Sequence, residues 1–281
     1  MSSPSTREQL DELQSRHLLR SLSTIDSAPG VRISRQGRDF WNFASNDYLG
    51  LASHPAITEA FIAGIGKYGT GSTSSRLITG TISPHTALEE KIAALKCTEA
   101  ALTFTSGYTA ALSIVPSIVG KGDFVVLDKL AHACLIDAAR TSDATLRVFA
   151  HNSMEKLERI ISKIRAGNAD AKILIVTESV FSMDGDLCPL PQILSLAEAY
   201  DAQILLDEAH AIGVLGPNGM GLAEALGLQQ RVHFQMGTLS KAVGLSGGYV
   251  AANRDWIDLF INRSRPFIYS TAPPPACVHA A

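Results

Sequence analysis

The fold is decided by the stretch Gln203-Ile204-Leu205-Leu206-Asp207-Glu208-Ala209-His210. Its apolar residues are consecutive rather than alternating, which is typical of a strand that is buried on both faces of a parallel sheet. Ligands of such sheets bind beyond the carboxyl ends of the strands. The stretch therefore predicts an α/β fold, with Asp207 and His210 placed where a ligand would bind.

Six further segments repeat the pattern of a short apolar run followed by a turn and a helical period. The seven predicted strands are Ala101–Thr105, Phe124–Asp128, Leu146–Phe149, Lys172–Glu178, Gln203–Asp207, Val232–Met236 and Gly248–Ala252. The helices predicted between them are Gly107–Val119, Leu130–Thr141, Met154–Ala166, Pro191–Tyr200 and Gly219–Leu226. Strands alternating with helices indicate a three-layer α/β sandwich around a mostly parallel seven-stranded sheet.

The first hundred residues differ from this pattern. They predict an amphipathic helix near Thr6–Leu22, a short β pair around Val31–Phe43, and helices near Pro55–Tyr68 and Pro84–Lys96. We interpret residues 1–45 as an N-terminal arm and residues 46–270 as the large domain.

Composition excludes several classes of protein. Of 281 residues, 46% are hydrophobic and 18% are charged, so intrinsic disorder is excluded. The 24 basic and 27 acidic residues give a net charge of −3 without a basic run, so we expect no nucleic-acid partner. The stretch from Ala110 to Val119 is about half of the ~20 residues of a membrane helix, so we expect no membrane span.

The N-terminal residues and the cysteines bear on location and metal content. The segment from Met1 to Arg20 lacks the apolar core of a secretory signal, which predicts a cytoplasmic protein. Four cysteines are scattered without a CxxC pair, so we expect buried free thiols. No HExxH motif occurs, and we predict no metal site.

Three predicted strands end in residues that can do chemistry. Ser106-Gly107-Tyr108 opens a helix whose free N–H groups can hold an anion, although an ordinary strand-to-helix turn has the same appearance. The letters DEAH at Asp207–His210 also occur in helicase-type ATPases, but the GxxxxGK[ST] loop that such enzymes need is missing. Lys241, among small and apolar residues, is either a surface cation or an amine whose pKa burial lowers, which would make it a nucleophile.

Together these segments match what pyridoxal phosphate (PLP) requires. The acid Asp207 lies 34 residues before Lys241, and the hydroxyl of Thr238 lies three residues before the same lysine. Asp207 would keep the pyridine nitrogen protonated, while Lys241 would bind the cofactor. His132 either stacks on the ring or is a capping or core histidine. The remaining contacts assigned to the cofactor are His210 and Ser182 at the phenolic oxygen, and Thr238 with the N–H groups of Gly107 and Tyr108 at the phosphate.

Ordered motifs along the chain resemble the α-oxoamine synthase family of fold-type I PLP enzymes. They are Asn46-Asp47-Tyr48-Leu49-Gly50-Leu51, Gly69-Thr70-Gly71-Ser72, Ser75-Arg76, His85 with Leu88-Glu89, Ser106-Gly107-Tyr108, His151-Asn152, Ser182-Met183-Asp184-Gly185-Asp186, Asp207-Glu208-Ala209-His210, Gly237-Thr238 with Lys241, and Tyr269-Ser270-Thr271. The resemblance extends from about Arg20 to the last residue. It departs from the family at Ala131 and Cys134, where asparagine and serine usually flank the histidine.

Within the family, the motifs are most similar to the biotin-pathway branch. That resemblance implies decarboxylative condensation of L-alanine with a pimeloyl thioester, carried by coenzyme A or by a carrier protein. Lys241 would also serve as base, and His132 would polarise the thioester carbonyl. Arg20 falls where these synthases place a substrate-contacting arginine, although a helix-surface cation fits equally. The resemblance also implies a homodimer.

Several alternatives stay open within this resemblance. Glycine C-acetyltransferase and serine-condensing relatives share most of the motifs, and an aminotransferase uses the same fold. Family members continue beyond the length of this chain with a small C-terminal domain. We expect that domain to be missing, with residues 271–281 as its start. An inactive fragment or a partner subunit is therefore a further interpretation.

Overall fold

The computed structural model describes residues 3–281, which form nine strands and eleven α-helices. The strands are β1 Arg32–Arg35, β2 Arg38–Trp41, β3 Ala100–Phe104, β4 Phe124–Asp128, β5 Thr145–Phe149, β6 Ile173–Glu178, β7 Gln203–Asp207, β8 Phe234–Thr238 and β9 Gly248–Ala252. The helices are α1 Thr6–Ser15, α2 Pro55–Tyr68, α3 Ser83–Lys96, α4 Gly107–Ile118, α5 Ala133–Arg140, α6 Met154–Gly167, α7 Leu190–Ala199, α8 Leu222–Ala225, α9 Arg254–Arg263, α10 Arg265–Ile268 and α11 Pro275–Ala280.

One sheet of seven strands has the order β3-β9-β8-β7-β6-β4-β5. Strands β8, β7, β6, β4 and β5 pair in parallel, whereas β9 runs antiparallel to both of its neighbours. The carboxyl ends of β4, β6, β7 and β8 therefore lie at one edge of the sheet. The predicted mostly parallel seven-stranded sheet is confirmed.

Alternate residues of the central strands enter two separate cores. Val125, Leu127, Leu174 and Val176 pack with residues of α4, α5 and α9 on one face. On the other face, Val126, Ile173 and Ile175 pack with residues of α6 and α7. These consecutive apolar residues are needed because helices cover both faces of the sheet. The three-layer prediction is confirmed.

Three predicted helices are longer than the observed ones by four or more residues. The first ends at Ser15, because His17 adopts a left-handed φ of 55°. Helix α5 begins only at Ala133, since His132 is its N-cap. Helix α8 begins at Leu222 because Gly219 and Gly221 have positive φ angles of 72° and 104°.

Packing divides the chain into two compact units, Met1–Ala44 and Ser45–Ala281. The described part of the first unit holds α1, which begins with a capping box of Ser5 and Glu8, and the antiparallel hairpin β1–β2. The second unit holds the seven-stranded sheet and its helices. The domain boundaries inferred from the sequence stay a prediction.

Two further findings concern helices and thiols in residues 3–281. No helix there combines the length and the apolar character needed to cross a bilayer. Cys134, Cys188 and Cys277 are buried free thiols, as expected, but Cys97 is exposed. The prediction was wrong for Cys97 because this residue caps the C-terminus of α3 at the surface, with a φ of 54°.

Candidate active site at the carboxyl edge of the sheet

Neighbouring parallel strands bring polar residues together where the strands end. Glu178 at the end of β6 is in register with Asp207 at the end of β7. Thr238 ends β8, the next strand along the sheet. All three are buried. The sheet topology thus assembles a buried polar cluster from segments that are up to 60 residues apart.

Lys241 and His210 form the centre of this cluster. The Nζ atom of Lys241 lies 2.7 Å from Nε2 of His210. On the other side of the imidazole ring, Nδ1 lies 2.6 Å from the hydroxyl oxygen of Tyr48. The turn after β7 and the loop after β8 therefore place an amine and an imidazole in direct contact.

Burial sets the charge states of these two groups. It lowers the pKa of Lys241, while the carboxylates of Asp207 and Glu178 oppose the shift. Burial, with the nearby charges of Lys241 and His132, lowers the pKa of His210 to about 4. His210 is therefore neutral near pH 7 and carries its single ring proton on one nitrogen only.

Asp207 is a buried acid at the centre of the cluster. Its Oδ1 accepts a hydrogen bond of 2.9 Å from the amide of Ala209, and within residues 3–281 no donor reaches Oδ2. Burial raises the pKa of this carboxyl, while the Ala209 amide and the positive charge of Lys241 oppose the shift. A cationic N–H group placed against Oδ2 would keep Asp207 ionised.

His132 directly precedes α5, and three polar contacts fix its position. Its backbone N–H donates to Oε1 of Glu178 at 2.5 Å. Its Nδ1 accepts the backbone N–H of Cys134 at 3.2 Å, and the Cys134 sulfur lies 3.0 Å from the same nitrogen. Because a backbone amide only donates, Nδ1 is unprotonated and the ring proton of neutral His132 is on Nε2. His132 is exposed, so its Nε2–H is available to a ligand.

Glu178 is buried beneath His132. Burial, with the negative charge of Asp207, raises the pKa of Glu178 to about 8. At Cys134, where the family has serine, the thiol keeps a contact with His132. The substitution at position 134 therefore leaves the histidine with a sulfur contact. Burial also raises the pKa of the Cys134 thiol, so it stays protonated.

The N-terminus of α4 lies against the end of β8. Ser106 caps this helix by accepting the amide of Thr109 at 3.0 Å. A Cβ on Gly107 would lie 3.4 Å from Cβ of Thr238, and one on Gly248 would lie 2.5 Å from the Gly107 amide nitrogen. Only glycine at 248 allows β9 to pass this close. The predicted anion site is thus an α-helix N-terminus in contact with Thr238.

The Thr238 hydroxyl already forms hydrogen bonds within its own loop. It donates to the carbonyl of Gly247 at 2.8 Å and lies 2.7 Å from the hydroxyl of Ser240. Ser240 is exposed, so its hydroxyl faces solvent beside the α4 N-terminus. Ser240 is a candidate anion ligand that the sequence reasoning did not name.

A buried ion pair lies behind Asp207. Nζ of Lys96 is 3.6 Å from Oε2 of Glu208, and both side chains are fully buried. Lys96 donates to the carbonyl of Met220 at 2.6 Å, and Glu208 Oε1 accepts the amide of Ala223 at 2.9 Å. Burial lowers the pKa of Lys96 and raises that of Glu208, and each partner opposes the shift of the other. The pair anchors the residue that follows Asp207 to α3.

A second polar cluster holds the loop after β6. The ring nitrogens of His151 lie 2.9 Å from Asp128 Oδ1 and 2.8 Å from Asp186 Oδ2. Burial acts against the charged imidazole, but the hydrogen bonds to these two carboxylates prevail and raise the pKa of His151. Ser182 lies in this loop, is exposed, and has no hydrogen-bond partner in residues 3–281.

Two other predicted site residues, Tyr108 and Arg20, are exposed and lie outside the buried cluster. Tyr108 is exposed and its hydroxyl donates to Asp137, so only its backbone N–H remains for an anion. Arg20 lies in the first unit, in an exposed segment without regular structure. In the described residues no group of three His, Cys, Asp or Glu side chains has the geometry of a metal site.

Besides Ser240, sequence reasoning assigned no role at the site to four residues: Tyr48, Glu178, Cys134 and Lys96. Glu178 had a usable signal, because it ends a buried strand in the same way as Asp207. Tyr48 belongs to a quoted motif, but its contact with His210 spans 162 positions. No local pattern indicates such a contact.

Comparison with known proteins agrees with this geometry. A family described as aminotransferase class I and II matches residues 38–281. An 8-amino-7-oxononanoate synthase of Geobacter sulfurreducens is 46% identical over 273 residues, which are 97% of this chain and 69% of that protein. Another, from Thermoanaerobacter pseudethanolicus, is 44% identical over 98% of this chain and 69% of its own length.

Solved structures share the same fold. Serine palmitoyltransferase of Sphingomonas wittichii superposes with a TM-score of 0.92 at 30% identity, covering 99% of this chain and 71% of that one. The enzyme of S. paucimobilis, solved with PLP and myriocin bound, has a TM-score of 0.88 at 30% identity and covers 97% of this chain and 68% of its own. With a family match over most of its length and relatives of this identity, the chain belongs to the aminotransferase class I and II family and has the fold of the fold-type I PLP enzymes.

Proposed function

We propose that this chain uses PLP held by Lys241 to condense L-alanine with a pimeloyl thioester. The products are 8-amino-7-oxononanoate, carbon dioxide and the free thiol carrier. The first of these is an intermediate of biotin synthesis. The observation that carries the proposal is the contact of Lys241 Nζ with His210 Nε2 at 2.7 Å, beside a buried Asp207. The 46% identity to a synthase of this name supports the choice of reaction.

The residues present fit the cofactor. Oδ2 of the buried Asp207, without a donor in residues 3–281, matches the protonated pyridine nitrogen. Lys241 offers an amine for the aldehyde. The N–H groups of Gly107 and Tyr108 at the start of α4, together with Thr238, are candidates for the phosphate. His210 and Ser182 are the candidates for the phenolic oxygen. When bound, PLP supplies an electron sink for the negative charge that develops at the amino-acid α-carbon.

Lys241 has the properties of the base in this reaction. Burial lowers the pKa of its ammonium, so the neutral amine is accessible nearer to the working pH. Lys241 would accept the α-proton of alanine at Nζ and later return a proton to the product. The neighbouring neutral imidazole of His210 can share that proton through their 2.7 Å contact.

His132 has the properties of an electrophilic group for the acyl donor. Its Nδ1 is blocked by the Cys134 amide, so Nε2–H is the only part of the neutral ring that can donate. We assign it to the thioester carbonyl, where a hydrogen bond would stabilise negative charge on oxygen. The bond from the His132 amide to Glu178 holds the backbone in place for this role.

The amino acid and acyl chain distinguish this proposal from its alternatives. Serine palmitoyltransferases and glycine-condensing enzymes would share the same cluster. The higher identity to the 8-amino-7-oxononanoate synthase, 46% against 30% for serine palmitoyltransferase, favours alanine and a pimeloyl donor. We also propose a cytoplasmic homodimer and retain Arg20 as a candidate substrate contact. A monomer in light scattering would contradict the dimer.

The direct test is the visible absorption of the purified 281-residue chain with added PLP, followed by thiol release on addition of L-alanine and pimeloyl-coenzyme A. Lys241→Ala should lose the lysine-dependent absorption band and turnover, because no other amine replaces Nζ. The matched control is Lys91→Ala on the exposed face of α3, which should behave as the native chain does. Glycine and L-serine, with acetyl- and palmitoyl-coenzyme A, test the alternatives.

Two results would contradict the proposal. A band that persists in Lys241→Ala would exclude the assigned lysine. A band without thiol release for any amino acid and acyl donor would favour an inactive fragment or partner subunit.

A further inference from the structure

Four side chains form a continuous line from the cluster to the surface. Lys241 Nζ contacts His210 Nε2 at 2.7 Å, and His210 Nδ1 contacts the Tyr48 hydroxyl at 2.6 Å. The same hydroxyl lies 3.2 Å from Oδ1 of Asn46. Tyr48 is 43% exposed, so solvent reaches its end of the line. The proposed function uses Lys241 and His210 but assigns nothing to Tyr48 or Asn46.

The directions of these hydrogen bonds depend on one another. The amide oxygen of Asn46 can only accept, so the Tyr48 hydroxyl donates to it. The Tyr48 oxygen must then accept from His210, which places the ring proton on Nδ1. His210 Nε2 is consequently unprotonated and accepts from the Lys241 amine or ammonium. One direction, from Lys241 outward to Asn46, satisfies every group.

A cofactor bound to Lys241 would require the hydrogen bonds of His210 to run in the opposite direction, from the Tyr48 hydroxyl to Nδ1 and from Nε2 to the cofactor. When Nζ is bonded to the aldehyde carbon of PLP, Lys241 no longer donates to His210 as a free amine does. A phenolic oxygen of the cofactor would need a donor, and His210 can donate from Nε2 only if Nδ1 gives up its proton. The Tyr48 hydroxyl both donates and accepts, so it can satisfy Nδ1 in either state.

We propose that Tyr48 is a positioning residue that lets His210 change its protonated nitrogen from Nδ1 to Nε2 when Lys241 captures the cofactor. Asn46 is the acceptor that holds the Tyr48 hydroxyl in the cofactor-free state. His210 thus serves as an acceptor for Lys241 before capture and as a donor to the cofactor after it.

Every proton that moves in this change has a donor and an acceptor. An ammonium proton moves from Lys241 Nζ to His210 Nε2, which frees the amine to bond with the aldehyde carbon, whose oxygen leaves as water with the two remaining amine protons. The Nδ1 proton moves to the Tyr48 oxygen, and the proton that Tyr48 previously directed at Asn46 leaves to water. Tyr48 remains a neutral phenol throughout and ends by donating to Nδ1. One proton is released to solvent for each lysine that loses its charge.

The part of this inference that involves the cofactor rests on the proposed function, but the cofactor-free part does not. Nitrogen-15 NMR of the full chain labelled at histidine reports which ring nitrogen carries the proton. His210→Gln identifies the signals of His210 by their loss. The spectra are recorded before and after addition of PLP, for the native chain, Tyr48→Phe and the control Tyr200→Phe. Tyr200 donates to Glu158 on the surface and lies outside the cluster.

The native chain and Tyr200→Phe should show His210 protonated at Nδ1 without PLP and at Nε2 with it. Tyr48→Phe should leave the protonated nitrogen the same in both states. It should also weaken PLP binding about 10-fold, equivalent to ~1.4 kcal/mol, because the loaded state lacks the donor to Nδ1. Circular dichroism of Tyr48→Phe establishes that the variant is folded.

Two NMR results would overturn the inference. In one, the same nitrogen of His210 is protonated with and without PLP in the native chain. In the other, the change of nitrogen persists in Tyr48→Phe. Failure of the native chain to bind PLP would refute the proposed function instead, and the cofactor-free spectrum would still decide whether Nδ1 carries the proton, as the inference requires.

Discussion

The buried pair of Lys96 and Glu208 provides the sharpest test of how the cluster is supported. Replacing Lys96 by methionine keeps most of the side-chain volume but removes the ammonium. Glu208 would then be a fully buried acid that retains the amide of Ala223 as partner. Breaking a buried pair in this way costs about 3–5 kcal/mol. The carbonyl of Met220 also loses its donor, at about 1 kcal/mol.

We therefore expect Lys96→Met to lower the free energy of unfolding by about 4–6 kcal/mol near pH 7. This is a large fraction of the ~5–15 kcal/mol that stabilises a typical protein. Urea unfolding followed by circular dichroism, with and without PLP, measures the loss. The double variant Lys96→Met/Glu208→Gln should regain part of it, because no charge is left unpaired in the interior.

The loss should also depend on pH. Burial raises the pKa of Glu208 above its value in the unfolded chain, so the folded state binds the extra proton and stability falls as pH rises from about 4.5. Without Lys96 the folded-state pKa rises further. The loss of unfolding free energy in Lys96→Met should thus be smaller near pH 5 than near pH 8. A deficit below about 1 kcal/mol, or a double variant no more stable than the single one, would refute the reasoning.

Two further predictions concern packing and pH. A Cβ on Gly64 would lie 2.9 Å from Cα of Ala276, whereas a Cβ on Gly66 would meet nothing within 4 Å. In urea unfolding, Gly64→Ala should cost about 1–3 kcal/mol and Gly66→Ala should stabilise by about 0.5–1 kcal/mol, and equal effects would contradict the packing of α2 on α11. The two carboxylate partners of His151 raise its pKa in the folded protein. The charged imidazole therefore adds to the free energy of unfolding below about pH 6.5, and this contribution is lost as pH rises through the folded pKa. His151→Phe should therefore lose more stability near pH 6 than near pH 9, as urea midpoints at the two pH values would show, and a loss independent of pH would argue against a charged imidazole.

The sequence was sufficient to predict the sheet, because its signals are local. Seven apolar runs, each of four to seven residues, predicted the seven strands with boundaries within about two residues of those observed. Helix boundaries were less predictable. The start of α8 depends on the positive φ angles of Gly219 and Gly221, and the start of α5 depends on His132 acting as a cap.

The sequence by itself also determined which residue types end the strands, and hence the candidates Asp207, His210, Thr238 and Lys241. Only the tertiary structure decided which partners they have, because hydrogen bonds and charge effects depend on distance in space. Tyr48 reaches His210 across 162 positions, and Lys96 lies 3.6 Å from Glu208 through the packing of α3 against the sheet. The proton positions of His210 and the pKa of Lys241 follow from those contacts and from burial, and neither is encoded in any local pattern.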